Sequence, residues 1–249
     1  MTEFEYLEIG YEYGQAAAGF APGLLRNLLS RVGRRAAPKM PDIVLKLKRD
    51  WSTADKYYAN AESEKWLGSF WDVDSPFRPL FDRLDHDHII ELACGHGRHS
   101  WQMREWPNRK TLVDFVEANI AFCRRRFEGY DDVSFVVNNG RDLSGIESES
   151  ATSLFCYDAM VHFHHTLVGP YLIDSARVLV RGGMALLHHS NYAKNPDGDY
   201  RENPHARAFM SPDLFARYAT AAGLVVVEQR VVSWDADKDL DAITLLRKP

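Results

Sequence analysis

The stretch HIIELACGHGRHS, residues 88–100, decides how this chain is read. A short apolar run, Ile89 and Ile90, leads into Gly95 and Gly97, and the residues after them can start a helix. Strand, glycine turn and helix start together place a ligand at the carboxyl edge of a sheet. Glycine lets the backbone approach a ligand that a side chain would exclude. A dinucleotide fingerprint would run G-x-G-x-x-G/A. Here the third small position is Ser100. The stronger objection is Glu91, an acid inside the strand with no role in binding a pyrophosphate.

Outward from that loop, short apolar runs alternate with helical stretches from about residue 86 onward. Strands are expected at 88–93, 111–116, 133–137, 152–157, 183–188, 224–233 and 241–247, and helices at 99–105, 117–127 and 168–180. This alternation implies an α/β fold whose mostly parallel sheet carries helices on both faces. Ser211 suits an N-cap, Pro212 the first helical position and Gly223 the stop of a last helix. Residues 234–240, WDADKDL, are too few for a crossover helix, so the last two of seven strands should pair antiparallel as a hairpin.

Residues 1–80 differ in character and are expected to form a helical cap ahead of a domain at 81–249. Residues 23–35 place leucines and Val32 at helical spacing between arginines, as an amphipathic helix would. Residues 51–81 hold Trp51, Trp66 and Trp71 and are expected to lie over a pocket mouth.

Composition narrows the function classes. A chain of 249 residues with 45% hydrophobic content can bury a sizeable core. Its net charge of −5 gives no general pull toward nucleic acid. The basic residues between Arg26 and Arg49, among them Arg34, Arg35, Lys46 and Lys48, read as a solvated face. No apolar run reaches the roughly 18 residues of a membrane span. Cys94, Cys123 and Cys156 are odd in number and widely spaced, so neither a disulfide framework nor a zinc site is expected, and a reducing cytoplasm is the default.

Together these pieces resemble the class I S-adenosylmethionine-dependent methyltransferases over residues 85–249. ELACGHGR looks like their motif I. CYDAMVHFHH, residues 156–165, resembles motif IV and the turn after it. ARVLVRGGMALLHHS, residues 176–190, resembles their helix, glycine turn and fifth strand. The inferred hairpin resembles the reversed seventh strand that separates them from nicotinamide enzymes. The resemblance implies a Rossmann-like sheet, S-adenosyl-L-methionine as cofactor and S-adenosyl-L-homocysteine as product. It also implies roles. Gly95 and Gly97 admit the methionine and sugar parts, and Glu91 holds the cofactor amino group through the loop or water. Asp114, 19 residues after Gly95, accepts hydrogen bonds from both ribose hydroxyls, with Glu117 as the fallback. Asp142 accepts from the adenine amino group, and Leu143 or Phe115 packs on the ring. Ala93 and Tyr157 complete the cofactor set.

The reaction is an in-line displacement at a sulfonium methyl, so the protein must align the nucleophile and, for an alcohol, remove its proton. His162, His164 and His165 follow the fourth strand, and His188 and His189 end the fifth. His162 or His189 is the expected base, with Asp158 as orienting partner. The H-x-H-H spacing matches no recognised metal site, and no metal is expected. The polar segment 190–210 is long enough to suggest function. Asn191, Tyr192, Arg201, His205 and Arg207 are its candidates for holding a polyhydroxylated or anionic acceptor. NPHAR and the following LFARYATAAGL look like methyltransferases of bacterial polysaccharide and nodulation-type sugar modification. The expectation is O-methylation of a saccharide or other small polar metabolite by a monomer or homodimer, without nucleic acid. The alternatives are N- or carboxyl-methylation of a small molecule, a nicotinamide-dependent oxidoreductase, or an inactive methyltransferase fold serving as a binding protein.

Overall fold

Period-2 burial explains why the strands stack as they do. Ile90, Leu92, Leu154, Cys156, Ala185 and Leu187 pack into one core, whereas Ile89, Phe155 and Leu186, which alternate with them, pack into another on the opposite face. The computed structural model describes residues 40–196 and 198–249. The expected helix at 23–35, with Arg26, Arg34 and Arg35, lies outside the described residues.

Four helices come first: α1 (Met40–Trp51), α2 (Asp55–Ala61), α3 (Glu64–Trp71) and α4 (Arg78–Phe81). Then follow β1 (His88–Leu92), α5 (Arg98–Gln102), β2 (Arg109–Asp114), α6 (Glu117–Arg126), β3 (Val133–Val137) and β4 (Ala151–Cys156). The chain finishes with α7 (His165–Val178), β5 (Leu179–Ser190), α8 (Pro212–Ala221), β6 (Val225–Trp234) and β7 (Asp237–Arg247). The sheet order is β3-β2-β1-β4-β5-β7-β6. β1 to β5 pair parallel, and β7 runs antiparallel to both β5 and β6. This is the seven-stranded Rossmann-like sheet with its terminal hairpin.

Helices α7, α8 and α1 cover the first face, with Ile43 and Leu47 of α1 joining its core. Phe70, Phe77, Leu80 and Phe81, from α3, α4 and the turn between them, cover part of the second. Ser211 caps α8 by accepting from the Leu214 N–H at 3.2 Å, and Gly223 follows it with φ +81°. One expectation needs correction. Gly182 and Gly183 are not a turn ahead of the fifth strand but lie inside β5, where its pairing with β4 shifts register. A Cβ on Gly183 would meet the carbonyl oxygens of Thr152 and Val180 at 2.9 Å. Glycine there lets two strands approach through an irregularity.

A buried ionic strut fixes segment 190–210 to this frame. Arg207 donates to both carboxylate oxygens of Asp241 on β7, at 2.8 and 2.6 Å, and lies over the Trp234 ring. His188 on β5 meets the same carboxylate at 3.0 Å and accepts from the Asp158 backbone N–H at 3.1 Å. Burial alone would raise the Asp241 pKa, but His188 and Arg207 outweigh it and hold it at about 2. Removing one partner of such a pair strands a buried charge. Asp241→Ala should therefore destabilise the protein by about 3–5 kcal/mol in urea unfolding. Because the folded pKa is depressed, this carboxylate's contribution is present above pH 4 and should be lost as pH falls toward about 2.

Candidate functional site

β1, β2 and β4 end side by side, and their carboxyl ends meet the cap helices around one narrow cavity of about 70 Å³. Its floor begins with Ala93, which follows β1 in the left-handed region at φ +56°, and Gly95 at φ +54°. Strained backbone of this kind collects at ligand sites. The two glycines of the loop serve different ends. A Cβ on Gly95 would lie 2.7 Å from the Tyr58 ring of the cap. One on Gly97 would press on Leu112 at 2.9 Å and Phe127 at 3.1 Å, in the core, and Gly97 does not line the cavity.

Two buried carboxylates hold the loop. Asp114, the last residue of β2, accepts from the Gly95 N–H at 2.9 Å and the Val116 N–H at 2.8 Å, one on each oxygen. Burial raises its pKa to about 6 despite these bonds. The Asn119 side chain and the Phe115 N–H also reach the carboxylate, whose roughly four acceptor sites are shared between these bonds and any diol. Glu91 accepts from the Ser100 N–H at 3.0 Å and from the Ser100 hydroxyl, and burial raises it to about 7. It ties β1 to the first turn of α5. Phe115 lines the cavity beyond Asp114. Tyr157 lines it on the β4 side, its hydroxyl donating to Ser69 O at 2.9 Å.

Asp142 and Leu143 are placed elsewhere. Asp142 accepts from the Asn139 side chain at 2.8 Å and the Ser144 N–H at 3.1 Å. Leu143 is buried in the core of the first face. Neither borders the cavity.

The histidines separate as clearly. His162 lines the cavity. Its Nδ1 lies 2.8 Å from Ala206 O, a pure acceptor, so that nitrogen carries the proton. Nε2 has no partner, and the ring is buried. Burial, then the Arg207 charge, lowers its pKa to about 4. Asp158, expected to orient this ring, does not bond to it; the Ala206 carbonyl faces its Nδ1. Asp158, at φ +51°, instead accepts from the Tyr57 hydroxyl at 2.9 Å and pairs with Arg98 at 3.4 Å. His189, the other expected base, is placed apart. It is stacked on Phe215 at 3.8 Å and bonded to Ser190 O and Thr244, away from the cavity. His188 belongs to the Asp241 strut. Among the described residues no group of three or more His, Cys, Asp or Glu is placed to hold a metal.

The expected acceptor residues do not line the cavity either. Asn191 donates to Asp239 O, and Tyr192 packs against the aromatic core of the second face. Arg201 pairs with Asp199 and Asp50, His205 with Asp237, and Arg207 with Asp241. The same segment contributes by other members. Asn195, Tyr200 and Asn203 line a side cavity of about 240 Å³ together with Lys46, and His162 is the wall it shares with the first cavity. A wider cavity of about 350 Å³, between Trp66 and Trp234, shares Tyr157 instead.

Trp51 was expected over the mouth, but several other lining residues had no individual role in the sequence reading, among them Tyr57, Tyr58, Arg98 and His99. Arg98 and His99 sit within the deciding stretch itself, directly after Gly97. The aromatic trio lies in the cap, whose sequence carries no spacing signal for the loop it covers. Of the three cap tryptophans only Trp51 lines the cavity. Trp66 and Trp71 pack on the second face.

Residues 89–183 match the model of a methyltransferase domain family. No curated protein matches the chain. The geranyl diphosphate C-methyltransferase of Streptomyces coelicolor, solved with S-adenosyl-L-homocysteine, has a similar fold. Its TM-score is 0.61 at 14% identity, covering 86% of this chain and 100% of that one. A chain of the complex between the Haloferax volcanii Trm112 methyltransferase activator and a methyltransferase gives 0.59 at 19% identity, covering 81% and 97%. The cyclase SpnF gives 0.54 at 13% identity, covering 69% and 79%, so this fold also hosts other chemistry.

The residues present fit the cofactor of that domain family. A buried strand-end carboxylate suits a diol, Phe115 offers a ring face, and Gly95 admits close approach once Tyr58 moves aside. Pockets for whole ligands run to several hundred Å³, more than this cavity offers with Tyr58 over Gly95. Diol recognition needs the ionised form of Asp114. The affinity for S-adenosylhomocysteine, measured by calorimetry, should therefore be flat above pH 7 and fall as pH drops through about 6. In Asp114→Asn it should be weaker by about 10-fold or more at pH 8 and lose that dependence.

Proposed function

We propose that the chain is a class I S-adenosylmethionine-dependent methyltransferase, a reading supported by the matching domain model and fold, and that it methylates a hydroxyl oxygen of a small polar acceptor such as a saccharide. The observation that carries this reading is His162, the shared wall of the cofactor cavity and the polar side cavity, with Nε2 unpartnered.

S-adenosylmethionine supplies the electrophilic methyl group. A neutral alcohol is a poor nucleophile and must lose its proton during attack. The Ala206 carbonyl holds the His162 proton on Nδ1, which leaves the Nε2 lone pair for the acceptor hydroxyl. A pKa near 4 keeps this imidazole neutral across the physiological range. It remains basic enough, because the oxygen becomes strongly acidic as its bond to the methyl carbon forms. The C–O bond forms, the S–C bond breaks, and the proton passes to Nε2. Asp158, Asp114 and Glu62 line the cavity and oppose its cationic content. Lys46, Asn195, Asn203 and Tyr200 give the side cavity donors and acceptors for a polyhydroxylated molecule. The Tyr57–Asp158 bond holds the cap down and keeps water from the transfer.

The test is a screen of hydroxylated acceptors by S-adenosylhomocysteine release, followed by His162→Gln. The variant should lose about 10²–10⁴ in kcat while its affinity for S-adenosylhomocysteine changes by less than about twofold. At saturating cofactor, wild-type kcat should fall only as pH drops through about 4. A variant with unchanged kcat would favour an amine or carboxylate acceptor, which needs no base.

A further inference from the structure

His99 is a buried donor without an acceptor. The Trp71 indole N–H lies 3.2 Å from its Nδ1. An indole nitrogen only donates, so Nδ1 must hold the lone pair, and the proton of the neutral ring sits on Nε2. Nε2 has no partner, although the residue is only 2% exposed. The ring cannot readily turn to find one. It is stacked on Phe70 at 4.4 Å and meets the Tyr157 ring edge-on at 5.3 Å. Burial, then the neighbouring Arg98 charge, holds its pKa well below the usual value, so the ring stays neutral. Buried polar groups nearly always have a partner. His99 lines the cofactor cavity, where a bound ligand can supply one.

The polarity of the cavity says which part of the ligand that is. β1 lies between β2 and β4. On the β2 side stands Asp114, an acceptor suited to hydroxyl groups. On the β4 side, beside Tyr157, stand His99, whose free Nε2–H can only donate, and the Arg98–Asp158 ion pair. A ligand with a diol at one end and, at the other, an anionic oxygen beside a cationic group matches this order.

We propose that the His99 Nε2–H donates to the carboxylate of the cofactor's amino-acid portion, making His99 a binding and positioning residue for the methyl donor. The proposal rests on the cofactor reading above. It implies that the cap takes part in cofactor binding, since Trp71 of α3 fixes the His99 tautomer.

The experiment is calorimetry on the full chain with two probes, S-adenosylhomocysteine and 5′-methylthioadenosine, which shares the nucleoside but lacks the amino-acid portion. In His99→Phe, which keeps an aromatic ring against Phe70 and removes the donor, S-adenosylhomocysteine should bind about tenfold more weakly. Binding of 5′-methylthioadenosine should stay within about twofold. His99→Gln, which keeps an N–H donor, should recover part of the loss. Two results overturn the proposal: both probes weakened alike, which makes His99 a packing residue, or neither weakened, which places its N–H away from the cofactor. Wild type binding neither probe would sink the cofactor reading itself, a different outcome from either.

Discussion

The bond between the Asp114 carboxylate and the Gly95 N–H is the constraint on which the site depends. It joins the end of β2 to the loop after β1, and the second oxygen secures the turn into α6 through Val116. Glu91 does the same on the other side of the loop, joining β1 to α5 through Ser100. Between them these carboxylates hold Ala93 and Gly95 in left-handed conformations that a free loop would relax. Both acids are buried and carry raised pKa values, which marks them as held at an electrostatic cost, as groups at functional sites often are. A loop fixed in this way is preorganised for its ligand, and the ordering cost is met in folding rather than in binding.

The cap completes the site and also closes it. Tyr58 lies over Gly95 and contacts His96, Tyr57 bonds to Asp158, and Trp51 packs against His162. These contacts bring two adjoining aromatic helices onto the loop after β1, the turn after β4 and the proposed base.

The sheet was legible in the sequence because each strand is a short apolar run bounded by turn residues, and the terminal hairpin because seven residues cannot hold a crossover. Gly182 and Gly183 misled because glycine pairs signal turns and strand irregularities alike. The roles of single residues were less legible. Asp142 has the right residue type, but Asn139 and Ser144, both within three residues, satisfy its carboxylate locally. The adjacent histidines of β5 had to diverge, since successive side chains on a strand face opposite sides. His188 accordingly enters the Asp241 strut, and His189 stacks on Phe215 beneath α8. Arg207 looked free to bind an anion because its partner, Asp241, lies 34 residues further along the chain. Trp51, Tyr57 and Tyr58 reach the cavity only through tertiary packing, which no local pattern encodes.

The most direct test of this account is a crystal structure of the chain with S-adenosylhomocysteine bound. The account predicts the ribose diol on Asp114, the adenine against Phe115, and the Tyr58 ring displaced from Gly95. A ligand bound elsewhere, or one seated with Tyr58 still over Gly95 and no contact to Asp114, would contradict it.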